Sequence, residues 1–375
     1  MSTASGLSPL QQIPADVVNL ADFEAHARER MDAPAWAYLN GGAADELTLR
    51  ANRRAWDEIR LLPRVLRELA GGHTRVGLLG RTWPLPLLLA PIAYQQLAHA
   101  DGELASAYAA AAQGAGLILS AQASVPMEGV ARAMLDEPGR GPLWFQLYWR
   151  DDAGFMRELL RRIEAAGFEA LVLTVDAPVH GARDRERRAG FKLPDHIRAV
   201  NLGGRKQPLK LAPGQSALFD GLMPHAATWT QVDWLRAESR LPLLLKGVAH
   251  PDDAREAQRR GAAGLIVSNH GGRTLDALPA TAELLPPLRA ALGPEVALLV
   301  DGGIRRGSDV LKALCLGADA VLLGRPYVHA LATAGALGVA HALRLLRDEF
   351  EIAMALSGCR TVADAGPHLL WPAAR

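Results

Sequence analysis

Gly264-Leu265-Ile266-Val267-Ser268-Asn269-His270-Gly271-Gly272-Arg273 decides how the rest of the chain is read. Four apolar residues, the length of a short buried strand, run directly into polar chemistry, and two glycines let the backbone turn tightly and approach a ligand. The strand therefore delivers His270 and Arg273 to one rim. Imidazole exchanges a proton near neutral pH and a guanidinium grips a carboxylate through two parallel hydrogen bonds, so the pair suits an acid deprotonated next to its carboxylate. Taken singly, a histidine after a strand is more often a turn residue, so the context has to come from the rest of the chain.

Outward from this stretch, apolar runs alternate with helical segments. The runs are Leu85–Ile92, Gly116–Gln122, Leu143–Tyr148, Ala170–Val175, Leu241–Lys246, Gly264–His270, Val296–Asp301 and Ala320–Gly324. Between them, Gly102–Gly114, Asp151–Ala166, Thr230–Glu238, Pro251–Arg260 and Ser308–Leu316 read as helices. Such alternation predicts a parallel sheet with helices outside it, and eight units close into an α/β (β/α)8 TIM barrel. Upstream, Leu20–Met31, Ala33–Asn40 and Glu46–Trp56 read as an N-terminal helical extension over 20–56, with the barrel core at about 85–345. About fifty residues separate the fourth strand from its helix, and within them 190–227 reads as a partly ordered lid, because structureless loops of that length are usually functional.

A chain of 375 residues fits one such barrel with extensions. The formal net charge of +1 gives no basic field to draw nucleic acid. The two cysteines, Cys315 and Cys359, have no metal-site spacing and read as free thiols of a reducing compartment. The start of the chain lacks signal-peptide character and no apolar run reaches the ~20 residues of a membrane span, so the expectation is a cytoplasmic protein with small-molecule partners and no membrane partner.

A barrel of this kind places its active site where the strands end. The ends offer Pro91-Ile92-Ala93, Ser120, Gln146 and Tyr148, Thr174 and Asp176, Lys246, Ser268 and His270, Asp301-Gly302-Gly303, and Gly324-Arg325. Any one of these could be a strand-end residue bonding a loop; eight together point to a site. Asp301-Gly302-Gly303-Ile304-Arg305 and Gly324-Arg325 suit a phosphate. Lys246 could be a Schiff-base nucleophile, as in an isomerase or aldolase, or a fixed charge beside a cofactor that becomes anionic. Asp176 is placed to orient His270.

Ala90-Pro91-Ile92-Ala93, Phe145-Gln146-Leu147-Tyr148, Leu173-Thr174-Val175-Asp176, Leu245-Lys246-Gly247-Val248, Ser268-Asn269-His270-Gly271-Gly272-Arg273, Asp301-Gly302-Gly303-Ile304-Arg305-Arg306-Gly307 and Gly324-Arg325-Pro326 occur in this order. From about Leu20 to Val362 the chain thereby resembles the FMN-dependent α-hydroxy-acid oxidases and dehydrogenases. The resemblance implies a homotetramer that oxidises an L-2-hydroxy acid to a 2-oxo acid, with electrons passing to O2 to give peroxide or, alternatively, to another acceptor. It implies His270 as base with Asp176 as its partner, Arg183 and Arg273 on the substrate carboxylate, and Tyr38 and Tyr148 against the substrate. It further implies FMN against Pro91, Ile92 and Ala93, its ring and ribityl chain on Ser120, Gln146, Thr174, Lys246 and Ser268, and its phosphate on Asp301, Gly302, Gly303, Arg305, Gly324 and Arg325. Gln122 stands where glycolate oxidases carry tryptophan, with Tyr94 nearby, which favours a side chain larger than that of glycolate, aromatic or branched. The polar Gly203-Gly204-Arg205-Lys206-Gln207-Pro208 replaces the membrane anchor of the mandelate dehydrogenases.

Overall fold

In the computed structural model, which describes residues 7–203 and 211–372, eight parallel strands close into a barrel. Three helices come first, α1 (Phe23–Arg30), α2 (Ala33–Asn40) and α3 (Leu47–Glu58), followed by a hairpin of β1 (Val76–Leu78) and β2 (Arg81–Trp83). The barrel units are β3 (Leu87–Leu89) with α4 (Gly102–Ala112), β4 (Gly116–Ser120) with α5 (Met127–Leu135), and β5 (Leu143–Leu147) with α6 (Ala153–Ala165). After β6 (Ala170–Thr174) the chain makes a detour through the short α7 (Asp184–Arg188) before α8 (Trp229–Glu238). The remaining units are β7 (Leu243–Lys246) with α9 (Pro251–Arg259), β8 (Gly264–Val267) with α10 (Thr281–Leu292), β9 (Ala297–Val300) with α11 (Gly307–Cys315), and β10 (Ala320–Leu323) with α12 (Arg325–Ser357). Pairing of β10 with β3 closes the ring.

The strands are buried on both faces, which is why they read as continuous apolar runs. Alternate residues divide between two layers. Leu88, Ile118, Trp144, Val172, Leu244, Ile266, Leu299 and Leu322 fill the barrel interior. Their neighbours Leu89, Leu117, Phe145, Leu171, Leu245, Leu265, Val300 and Leu323 pack under the helices. Trp83 and Trp144 meet edge to face, 5.4 Å between centroids, and residues of the β1–β2 hairpin pack against this interior cluster.

Each expected strand is present, one to several residues shorter than its apolar run. The expected helix Leu20–Met31 begins only at Phe23, because the Asp22 carboxylate accepts from the Val18 and Asn19 backbone N–H groups and holds 18–22 as a turn. The β1–β2 hairpin was not anticipated: its two turn residues, Leu79 and Gly80, both have positive φ, and leucine is no signal for such a turn. Against the expectation of no membrane-length segment, α12 is long and apolar enough by composition to cross a membrane. It packs on the barrel instead, two-thirds of its most apolar stretch buried, and kinks at Ala334 and Gly335. In the lid, 217–222 and 223–225 form single helical turns, while residues 204–208 of the polar motif lie outside the described residues.

The N-terminal helices lie across the rim where the strands end. Trp56 of α3 donates its indole N–H to the Gly302 carbonyl at 2.7 Å, and Arg53 bonds the Gly303 carbonyl while pairing with the buried Asp309 at 2.6 Å. Asp309 in turn accepts from the backbone N–H groups of Arg305 and Arg306. Gly302 and Gly303 have φ of 95° and 81°, and a Cβ on Gly303 would stand 2.2 Å from the Asn52 carbonyl oxygen. Gly303→Ala should therefore cost at least about 2 kcal/mol through backbone strain and overpacking. Chemical denaturation measures it, and a loss under about 0.5 kcal/mol would contradict this packing.

Candidate active site

Six neighbouring strands end in polar side chains that form two hydrogen-bonded groups, side by side in the sheet. Ser120 after β4 donates to Gln146 at 3.1 Å, and the Gln146 amide donates to Thr174 at 3.0 Å. Thr174 pairs in register with Lys246 of β7. Lys246 Nζ donates to Ser268 Oγ at 2.7 Å and lies 3.1 Å from Asp301 Oδ2, and Ser268 donates to Asp301 Oδ1 at 2.7 Å. Burial alone would lower the Lys246 pKa, but the Asp301 and Asp176 carboxylates outweigh it and hold the ammonium above its ordinary value.

His270, Gly271 and Gly272 all have positive φ, so the chain reverses over three residues immediately past β8. The imidazole of His270 meets Asp176 Oδ1 through Nδ1 at 2.9 Å, and its backbone N–H donates to Ser268 Oγ at 3.0 Å. A left-handed histidine is strained, and these bonds hold it there. Gly247 makes room for the partner: its φ is 101°, and a Cβ there would lie 2.4 Å from Asp176 Cγ. Burial would raise the Asp176 carboxyl, but the His270 contact and the Lys246 charge bring it below the ordinary carboxylate value. Burial, helped by the charges of Lys246 and Arg273, pushes His270 below its ordinary 6.5 against the pull of Asp176. An ionised carboxylate only accepts, so Nδ1 carries the hydrogen and Nε2 is left as a base.

Around this pair stand arginines, of which Arg273, Arg305 and Arg325 make no ion pair among the described residues. Arg273 donates to the Tyr38 and Gly41 carbonyls at 2.6 and 2.9 Å, with its guanidinium carbon 5.3 Å from the Tyr38 ring centroid. Arg183 donates to the Arg273 carbonyl at 3.3 Å and pairs with Glu186 at 3.4 Å. Arg325 is bonded to the carbonyls of Leu39, Gly41 and Gly271. Burial and neighbouring arginines push Arg273 down to about 10 and Arg325 down to about 9, and Arg305 is lowered by burial and Arg53. All three remain charged at neutral pH. Burial raises the Tyr38 and Tyr148 phenols, so both stay protonated donors.

A cavity of about 2180 Å³ gathers these groups at one mouth. All of the site residues expected from sequence line it except Asp176 and Ser268, which stand behind His270 and Lys246 as their hydrogen-bond partners. Sequence reasoning missed the supports. Asn52 of α3 and Asn269 exchange side-chain hydrogen bonds at 2.8 Å, and the buried Glu103 accepts from the Gln95 and Ser124 backbone N–H groups, tying the loops after β3 and β4 together. Both depend on partners remote in sequence or on burial, which composition does not display.

The donor set fits a phosphorylated, planar cofactor. Gly324 is the N-cap of α12, and a Cβ built on it meets nothing within 4 Å, leaving a backbone cradle at a helix N-terminus. Arg305 and Arg325 make no ion pair among the described residues, as expected of cations facing an anion. The polar series from Ser120 to Asp301 supplies donors and acceptors for a heterocycle edge.

The profile of the FMN-dependent dehydrogenases matches residues 27–372. An L-lactate oxidase of Alicycliphilus denitrificans (strain DSM 14773 / CIP 107495 / K601) is 48% identical over 368 residues, covering 98% of this chain and 100% of the relative. Another, from Roseobacter sp. (strain GAI101), is 49% identical over 355 residues and covers 94% of each chain. A solved structure of mandelate oxidase with (S)-2-phenylpropionate superposes with a TM-score of 0.84 at 42% identity, covering 94% of this chain and 98% of that one.

Uncompensated arginines should make the flavin-free protein respond to anions. At equal ionic strength, sulfate in place of chloride should raise its Tm by several degrees, and Arg325→Leu should remove most of that gain. An equal sulfate gain in the variant would show only a bulk salt effect.

Proposed function

The chain belongs to the FMN-dependent dehydrogenase family, an FMN enzyme that oxidises 2-hydroxy acids, and from that premise we propose the role of each residue, the substrate and the electron acceptor. The observation that carries the reading is the His270–Asp176 pair set between Lys246 and the arginines of one cavity. Arg273 and Arg183 bind the substrate carboxylate and fix which face of the α-carbon is presented. Tyr38 and Tyr148 donate hydrogen bonds to the substrate oxygens. His270 Nε2, neutral in the free site, takes the hydroxyl or α-carbon proton, and the Asp176 carboxylate stabilises the imidazolium that results. FMN, when bound, supplies the two-electron acceptor for the C–H bond cleaved. Lys246 holds a positive charge beside it; its ion pair with Asp301 and raised pKa disfavour the neutral amine that a Schiff-base mechanism would need.

The substrate is an L-2-hydroxy acid with a side chain larger than that of glycolate. Gln122 and Tyr94 both line the cavity, and the L-lactate oxidase relatives support lactate ahead of the aromatic acids. The same relatives support O2 as the acceptor, with hydrogen peroxide as the second product. Self-association to a homotetramer belongs to this proposal too: Val65, Leu66, Leu356 and Trp371 are exposed, and backbone bonds between 60–64 and 357–371 bring their segments together. Light scattering measures it. A cytoplasmic setting is supported by Cys315 and Cys359, which are free.

His270→Gln should retain FMN and lose about 100- to 10,000-fold in turnover. In the wild type, kcat/KM should fall on the acid side with an apparent pKa below 6.5, since His270 must be neutral to accept a proton and burial lowers its pKa. Asp176→Asn removes the charge that raises that pKa, so the acid limb should move lower still while kcat drops by about a hundredfold or more. Steady-state rates from acid to neutral pH test both. An unmoved limb in Asp176→Asn, or near-normal turnover in His270→Gln, would overturn the assignment.

A further inference from the structure

We propose that Phe191, at the base of the lid, is a positioning residue for substrate binding that acts by holding the Tyr38 ring; this rests on the reading of Tyr38 as a substrate contact. Tyr38 lies on α2, outside the barrel, and reaches the cavity from the N-terminal extension. Among the described residues its hydroxyl makes no hydrogen bond to the protein, so the direction of the phenol is set by contacts of the ring alone. The nearest ring is Phe191, stacked with centroids 4.4 Å apart and planes 16° from parallel. Tyr94 is more distant, at 6.3 Å and tilted by 49°. The Arg273 guanidinium also bears on the ring, at 5.3 Å. Phe191 does not itself line the cavity, so its influence on a ligand passes through Tyr38.

The placement of Phe191 is built in locally. Gly190 adopts φ of 64° just past α7, its N–H donates to the Arg187 carbonyl at 3.1 Å, and the Phe191 N–H donates to the Glu186 carbonyl at 3.2 Å. This pair of bonds across a left-handed glycine is the Schellman close of a helix, and it fixes where the next side chain points. At the other end of the same helix, Arg183 is the N-cap and donates through its side chain to the Arg273 carbonyl. One five-residue helix therefore presents a carboxylate-binding arginine from its start and the ring that seats Tyr38 from its end. A displacement of α7 moves both together.

A double-mutant cycle with L-lactate tests this. Phe191→Ala should raise KM about two- to tenfold, the worth of one aromatic pair, with kcat changed less than about twofold. Tm and FMN content should stay at wild-type values, and Phe191→Tyr, which keeps a flat ring, should restore KM. Phe191→Leu, which keeps the apolar bulk, should raise KM as Phe191→Ala does and serves if the alanine variant does not fold. In a Tyr38→Ala background, Phe191→Ala should add nothing, because the ring it seats is gone. An equal KM increment from Phe191→Ala in both backgrounds, or none in the wild-type background while Tyr38→Ala raises KM, would overturn the role of Phe191 alone. An unchanged KM in Tyr38→Ala would overturn it together with the substrate-site reading.

Discussion

Closure of the barrel by β10 on β3 is the constraint on which everything else depends. Eight parallel strands whose two faces are both buried can spare no polar group along their length, so polarity is expelled to the ends, and closure brings those ends to one mouth. The site is thus the place where the apolar runs are permitted to stop. Ser120, Gln146, Thr174 and Lys246 stand at the last or next-to-last position of their strands and Ser268 and Asp301 directly after theirs, close enough to bond their neighbours in two groups.

Charge is balanced unevenly in this mouth. On one side Asp301 pairs with Lys246, and Asp176 bonds the neutral His270 imidazole. On the other, Arg273, Arg305 and Arg325 bond mainly to backbone carbonyls, which satisfy donors without cancelling charge. Buried cations left in that state are costly, and the cost falls when anions enter. A phosphate and a carboxylate are the anions that an FMN enzyme acting on hydroxy acids provides.

Most of the barrel was legible because Leu-rich runs such as Leu243–Lys246 and Ala170–Thr174 alternate with helices and end in residues foreign to a core. His270, Asp176 and Lys246 were legible because their positions at strand ends limit where they can point. The supports were not. Trp56, Arg53 and Asp309 hold the Gly302–Gly303 turn from helices that show no chemical motif, and the 4.4 Å stack of Phe191 on Tyr38 joins the lid to an N-terminal helix. Such contacts are tertiary, and local periodicity does not encode them. The start of α1 was misplaced because a single carboxylate, Asp22, competes for the backbone donors that precede it.

The most direct test of the account follows the flavin itself. Under anaerobic conditions, L-lactate should bleach the visible flavin bands of the purified holoenzyme and yield one 2-oxo acid per flavin, and admission of air should restore the bands with one peroxide released per flavin. A protein whose flavin is not bleached by any L-2-hydroxy acid would contradict the assigned chemistry. Bleaching followed by reoxidation far slower than turnover with an artificial acceptor would contradict O2 as the partner.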